Sequence, residues 1–415
     1  MEPTETLTLT AEKMVAGGDC LAHHNGKNIF IPQAIPGEVL EVRITRSLRD
    51  FDRAEIVRIL SPSPYRVQSV CPLYGCCGGC NMQHIAVQKQ QELRKTLLAD
   101  CFLREGVSVP VIQVISDSAF GYRARMQLHD GGLFARESNT TVPLNRCPVA
   151  TEAMNSYFSA VPQNVRPRGR VQIFSDARVV ADASHMASHT VVAAEEAVPE
   201  VRFQGGGKRR VKDKVKKRFS GTIQDAMHTV RVLLAGKTVQ FDVRGFFQSN
   251  LAVLEKAIGA VCFGLQGKHV LDMYSGVGTF SVFLADYFEH VTLVEHNRDA
   301  LVHAEINMAG KKHESYGVSG ERFIKENCES VVARHGPFDA VVIDPPRSGM
   351  EKSVCSWLCS AHIPVIRSVS CDPATQARDV SKLIKAGYTL TSLFLLDFYP
   401  QTAHIESLAC LEYHG

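Results

Sequence analysis

Residues 269–280 read His269-Val270-Leu271-Asp272-Met273-Tyr274-Ser275-Gly276-Val277-Gly278-Thr279-Phe280. The order is apolar strand, glycine turn, then the start of a helix. Gly276 and Gly278 let the backbone pass closely beneath a ligand. A dinucleotide fingerprint would place a third glycine at position 281, which is Ser281. The next apolar run, Val291-Thr292-Leu293-Val294, ends in Glu295. In doubly wound sheets an acid in this place accepts hydrogen bonds from ribose hydroxyls. Further along, Phe338 to Ile343 leads into Asp344-Pro345-Pro346-Arg347-Ser348-Gly349. The run Ile363 to Ile366 leads into Ser370-Cys371-Asp372-Pro373, and Leu251 to Cys262 has a helical pattern. Strands alternating with helices over 236–415 predict an α/β, Rossmann-like domain with ligands at the carboxyl ends of its strands.

Composition sets the outer limits. A chain of 415 residues is too long for one core and divides into two or three domains. No apolar stretch is long enough to span a bilayer, and Met1-Glu2-Pro3-Thr4-Glu5 is not a secretory signal. A cytoplasmic protein is expected, with its 13 cysteines serving as thiols or metal ligands and not as a disulfide framework. The net charge of +3 says little, but its distribution is uneven. Lys208 to Arg218 holds eight basic residues and one acid, a field suited to a polyanion that could not by itself read a base sequence.

The first 62 residues carry short strands at Asn28–Pro32, Glu38–Ile44 and Arg53–Ile59, with turn signals between them. This spacing predicts a small β-barrel of the oligonucleotide-binding kind. Arg43, Arg46, Arg49, Arg53 and Arg58 offer it an RNA-contacting surface, and Pro62-Ser63-Pro64 closes it. A central region, 63–235, follows. It has a helical segment over 84–104 and a basic strand at Gly121–Leu128, in which Arg123 and Arg125 share a face.

Within that region Cys71, Cys76, Cys77 and Cys80 crowd around Gly78-Gly79, and Cys147 stands in a second proline-marked turn. Cys71, Cys77, Cys80 and Cys147 read as ligands of a [4Fe-4S] cluster. Structural zinc suits four thiolates equally well on chemistry alone. Cys76 is the ambiguous neighbour, and His84 a weaker candidate.

A Gly-x-Gly loop with Asp272 four residues before Gly276 looks like the S-adenosylmethionine site of class I methyltransferases. Enzymes of that class that methylate exocyclic amines often carry an aromatic after Asn/Asp-Pro-Pro, and Arg347 stands there instead. Amine methylation also needs no cysteine nucleophile. Taken with Phe246-Phe247-Gln248-Ser249-Asn250, Ser370-Cys371-Asp372-Pro373 and His404-Ile405-Glu406, the chain resembles the RNA (uracil-5-)-methyltransferase family over essentially its whole length.

The resemblance implies a class I catalytic domain, an N-terminal TRAM barrel of OB-like fold and a central α+β domain bearing the iron–sulfur cluster. It implies Cys371 as nucleophile and Glu406 as base. Gln248, Asp272, Tyr274, Gly276, Gly278, Glu295 and Asp344 would line the pocket for S-adenosylmethionine and the target base. Barrel plus cluster resembles the enzymes that act on 23S ribosomal RNA, here expected to work as a monomer. A transfer-RNA target, a C5-cytosine methyltransferase and a non-catalytic RNA-binding protein are the alternatives. The cluster is expected to be structural. Asp372 stands where the family commonly has Asn.

Overall fold

A computed structural model describes residues 6–180, 190–194 and 228–414. The basic run 208–218 lies outside the described residues.

The N-terminal unit consists of β1 (Thr6–Thr10), β2 (Lys13–Met14), β3 (Cys20–His24), β4 (Lys27–Ile31), β5 (Val39–Ser47) and β6 (Phe51–Ser61). They form one sheet in the order β1-β5-β6-β4-β3-β2. Only Ala11 and Glu12 separate β1 from β2. The Ala11 N–H donates to the Glu38 carbonyl beside β5, and the Glu12 N–H donates to the Leu21 carbonyl on β3. The bent β1–β2 segment thus pairs with both edges and closes the sheet on itself. Counted as one strand, it makes a five-stranded barrel, the OB-like architecture expected. Alternate side chains point inward, and Leu9, Ile29, Ile31, Leu40, Val42 and Ala54 fill the interior.

The central segment comprises α1 (Val87–Arg104), β7 (Gln113–Ile115), β8 (Arg125–His129), β9 (Leu133–Phe134), β10 (Thr141–Val142), α2 (Glu152–Ala160), β11 (Arg170–Ser175) and β12 (Thr190–Ala194). Strands β12-β11-β8 form an antiparallel sheet, and β9 pairs with β10. Strands β13 (Thr229–Leu234) and β14 (Lys237–Asp242) form a hairpin. Strand β8 begins at Arg125, and residue 123 makes isolated bridges to Ala150 and Asn250. Buried and half-buried residues alternate over 122–129, which keeps Arg123 and Arg125 on one side, both half-buried.

The C-terminal part runs α3 (Leu251–Cys262), β15 (Gly267–Met273), α4 (Ser281–Leu284), β16 (Phe288–Val294), α5 (Arg298–Asn307), β17 (His313–Tyr316), α6 (Gly320–Glu326), α7 (Cys328–His335), β18 (Ala340–Ile343), α8 (Lys352–Ala361), β19 (Val365–Ser370), α9 (Pro373–Lys385), β20 (Tyr388–Leu396) and β21 (Glu406–Tyr413). The eight-stranded sheet has the order β17-β16-β15-β18-β19-β21-β20-β7. Strands β15 to β19 are parallel, whereas β21 runs antiparallel to both its neighbours. Both faces are covered. Val270, Val291, Val342 and Val369 pack on the α3 side, while Leu271, Val341, Ile343 and Ile366 pack on the α8–α9 side.

The eighth strand, β7, and the helix α1 that packs on this sheet come from the central segment. Arg94 of α1, fully buried, pairs with buried Asp397 at 2.7 Å. The order of strands reverses between β15 and β18. The carboxyl ends there open a crevice, as the topology of such sheets requires.

Candidate active site and cysteine pocket

Strand β15 delivers Asp272 and the glycine turn to the crevice. The turn needs left-handed backbone: φ is +65° at Tyr274, +57° at Gly276 and +75° at Gly278. A Cβ at Gly278 would meet the Ala304 Cβ at 3.3 Å, so helix α5 packs directly on the turn. Tyr274 holds its conformation without being a glycine, at a cost on the order of 1 kcal/mol.

Asp272 is wholly buried and accepts a hydrogen bond from Ser281 Oγ at 2.5 Å, with its other oxygen unpartnered. Burial pushes its carboxyl up to about 7, helped by the charge of Asp344. Glu295, at the end of β16, accepts from the Gly276 and Asn297 N–H groups at 3.0 and 2.7 Å, so its carboxylate is locked onto the turn. Asp344, at the end of β18, is likewise raised to about 7 by burial and by the charge of Glu295.

Strand β19 ends at Ser370 and β21 begins at Glu406, and their register pairs Ser370 with Ser407. Cys371 directly follows Ser370 and Glu406 directly precedes Ser407, so the two lie just past the last pair of this ladder, near enough that the Glu406 charge acts on the thiol. Glu406 is buried, and Gln248 Nε2 donates to its Oε2 at 3.2 Å. Burial first, then the charge of Asp344, pushes the Glu406 carboxyl up to about 8, against the pull of Gln248 and Arg347. Burial, then the charges of Glu406 and Asp344, raises the Cys371 thiol above its ordinary value, and Arg347 opposes this. Asp372 caps α9, accepting from the Thr375 N–H at 2.9 Å. Asp and Asn cap equally well, so this capping role accepts either residue.

A cleft of about 530 Å³ continues from the turn, bounded by Tyr274, His296, Val318, Pro346 and Met350. His296 and Val318 belong to no motif, so this part of the wall was not expected from the sequence. Tyr399 was also missed: its hydroxyl donates to Gln248 Oε1 at 3.4 Å, behind the bond from Gln248 to Glu406. The signal that could have found it is its place in the short stretch from Phe398 to Glu406.

Cys71, Cys77, Cys80 and Cys147 line one small cavity of about 30 Å³, together with Tyr74 and Arg123. Cys76 is exposed, and His84 is engaged instead with Tyr74 Oη at 2.6 Å. Among the described residues, no three of these sulfurs lie within 4.8 Å of one another. Burial raises the thiols of Cys77, Cys80 and Cys147, that of Cys80 to about 11, while the Arg123 guanidinium draws all three down. On the barrel, Arg43, Arg53 and Arg58 are engaged by Glu55, Asp19 and Glu41 respectively. Arg46 and Arg49 are exposed, with no carboxylate partner among the described residues.

Family comparisons match this architecture. A model described as tRNA (Uracil-5-)-methyltransferase covers residues 224–414, and a TRAM domain model covers 4–57. A protein of Treponema denticola named "Uncharacterized RNA methyltransferase" is 34% identical over 96% of both chains. The chain belongs to the RNA (uracil-5-)-methyltransferase family. Another relative of this methyltransferase is the 23S rRNA (uracil(1939)-C(5))-methyltransferase RlmD of Photorhabdus laumondii, 30% identical over 97% of this chain and 95% of its own. The Pyrococcus abyssi tRNA (uracil-54, C5)-methyltransferase, solved with S-adenosyl-L-homocysteine, shares the fold. Its TM-score is 0.67 at 24% identity, over 97% of this chain and 99% of that one.

Proposed function

We infer that this methyltransferase transfers the methyl group of S-adenosylmethionine to C5 of a uridine in 23S ribosomal RNA, through a covalent bond between Cys371 and C6. The observation that carries the reading is the gathering of Cys371 and Glu406 at the adjoining ends of β19 and β21, where the charge of Asp344 also reaches both groups.

Uracil C5 is a weak nucleophile toward a methyl sulfonium. Addition of the Cys371 thiolate to C6 forms a C–S bond and moves the ring electrons onto an enolate whose reactive carbon is C5. C5 then takes the methyl, and the former C–S pair stays on the donor sulfur as S-adenosylhomocysteine. Glu406 removes the C5 proton, the C5=C6 bond re-forms, and Cys371 leaves as thiolate. A carboxyl near 8 is a stronger base than an ordinary glutamate once ionised. The positive sulfonium of the bound donor favours that ionisation, as any nearby cation does. The target nucleotide leaves its stack to reach a buried pocket, so base flipping accompanies binding.

The thiols of Cys71, Cys77, Cys80 and Cys147, gathered around one cavity, are a donor set that suits a [4Fe-4S] cluster, and four thiolates suit zinc equally well. The cluster would fasten the Cys71–Cys80 loop to the turn at Cys147, which lies beside α2, and the scheme above uses no electron from it.

The 23S target rests on the relatives named RlmD that align over nearly the whole chain. The test is RNA containing 5-fluorouridine, which has no C5 proton to lose. The intact protein with S-adenosylmethionine forms a denaturation-stable adduct, and Cys371→Ala forms none. Methylation of 23S fragments but not of transfer RNA supports the target; the reverse outcome assigns the enzyme to transfer RNA.

A further inference from the structure

At the opposite end of the sheet from the crevice, His290 of β16, Glu314 of β17 and His335 in the last turn of α7 converge. Five residue steps of extended chain lead from His290 to Glu295, so the cluster lies on the order of 17 Å from the crevice. His335 Nε2 stands 3.0 Å from Glu314 Oε1, and His290 Nε2 stands 3.8 Å from the same oxygen. The other carboxylate oxygen, Oε2, is held by Arg334 Nη2 at 2.8 Å and by Tyr316 Oη at 2.9 Å. Arg334 Nη2 also donates to Oε1 at 3.2 Å, so Glu314 is oriented from behind, and the oxygen that faces the two imidazoles shares that guanidinium donor. His290 Nε2 is buried and has no hydrogen-bond partner.

The neighbouring histidines are accounted for. His269 bonds through both ring nitrogens, to the Gly336 carbonyl and to Thr292 Oγ1, each at 2.9 Å. His313 bonds to the Lys311 carbonyl and to Glu305. Two imidazoles and one carboxylate oxygen remain, with donor separations that straddle the roughly 3.3 Å between adjacent ligands of a tetrahedral zinc.

We propose that His290, Glu314 and His335 form a site for a borderline divalent transition ion of the zinc, cobalt or nickel class, separate from the cysteine pocket. Nitrogen and oxygen donors of this kind favour such ions over magnesium or calcium. The rings of His290 and His335 are stacked, with centroids 3.7 Å apart and planes within 8°. Two parallel rings cannot share one ion, because the imidazole lone pair lies in the ring plane. Binding therefore turns one ring. That ring is His335, which is the more exposed of the two and sits at the end of a helix. Arg334 and Tyr316 hold the carboxylate in place while the ring turns, as outer groups do at metal sites. The ion would tie α7 to the β16–β17 edge of the sheet.

The experiment is a Co2+ titration of the full chain with its cysteine pocket loaded, followed by visible absorption. A nitrogen–oxygen site gives ligand-field bands without thiolate-to-cobalt charge transfer in the near ultraviolet, so it is distinguishable from binding at the cysteines. One saturable equivalent is expected. His335→Ala and Glu314→Gln are each expected to weaken binding at least tenfold, while methyl transfer is unchanged. Zn2+ should raise Tm in the intact protein and not in either variant. Because Glu314 also supports Arg334, the exposed His335→Ala is the deciding variant. The proposal is overturned if no saturable binding occurs below about 1 mM, if the bound ion shows thiolate charge transfer, or if His335→Ala binds as tightly as the intact protein.

Discussion

Replacing Glu406 by Gln should separate the two halves of the proposed reaction. Glutamine keeps the shape of the side chain and a carbonyl toward Gln248, but it cannot take a proton from C5. Addition of Cys371 and methyl transfer do not need the base, so they proceed. Elimination does need it, and loss of a positioned base slows such a step by about 10²–10⁴-fold. A methylated protein–RNA adduct should therefore accumulate on ordinary uridine RNA, approaching one per active site.

The structure adds a pH signature. With its carboxyl near 8, Glu406 is about a tenth ionised at pH 7 and mostly ionised at pH 9, so release of 5-methyluridine in the intact enzyme should rise up to about tenfold over that interval. In Glu406→Gln this rise disappears. Adduct formation in the variant should not be slower at neutral pH, because one of the charges that raise the Cys371 thiol has gone. The assay is single turnover with methyl-labelled donor, denaturing gels for the adduct and tritium release from 5-tritiated uridine. If Glu406→Gln releases product at the rate of the intact enzyme, or never forms the adduct, the assignment of Glu406 as base is wrong.

Three further outcomes are expected. Asp272, Asp344 and Glu406 all have folded-state values raised above an ordinary carboxyl, so the stability they leave intact below about pH 4 is lost as pH rises toward 8; Asp272→Asn should flatten the fall of Tm between about pH 4 and 7, and an unchanged slope would count against the buried-acid picture. Arg94→Leu leaves Asp397 buried without its partner and should destabilise by about 3–5 kcal/mol in denaturant unfolding, whereas exchanging both residues for apolar ones should recover most of the loss. Gly278→Ala forces a side chain into left-handed backbone against Ala304 and should lower stability by about 1–2 kcal/mol and weaken S-adenosylmethionine binding in calorimetry; full affinity would mean that the turn is not pressed between α5 and the donor.

Much of this protein was legible in one dimension. The glycine turn at 276–278, the acids ending β15, β16 and β18, and the helix Leu251–Cys262 are local patterns, each set by residues close together in the chain. The barrel strands were legible for the same reason, since alternation and turn residues act over short range. The grouping of Cys71, Cys77, Cys80 and Cys147 was legible from thiol chemistry.

Long-range pairing set the rest. Cys371 and Glu406 are 35 positions apart, and only the pairing of β19 with β21 brings their ends together. Burial in that crevice raises both groups, which no reading of residue types could give, because desolvation depends on what covers a side chain. The same holds for the barrel arginines: Arg43, Arg53 and Arg58 look alike in sequence to Arg46 and Arg49, yet folding gives the first three carboxylate partners. The closing of the barrel through Ala11 and Glu12, and the recruitment of β7 into the catalytic sheet, are likewise contacts between distant segments. Residue types and their local spacing establish which chemistry is available to this chain. Which groups meet, and how far their ionisation is shifted, follows from the folded arrangement, because hydrogen-bond register and burial are properties of pairs of segments and not of either one alone.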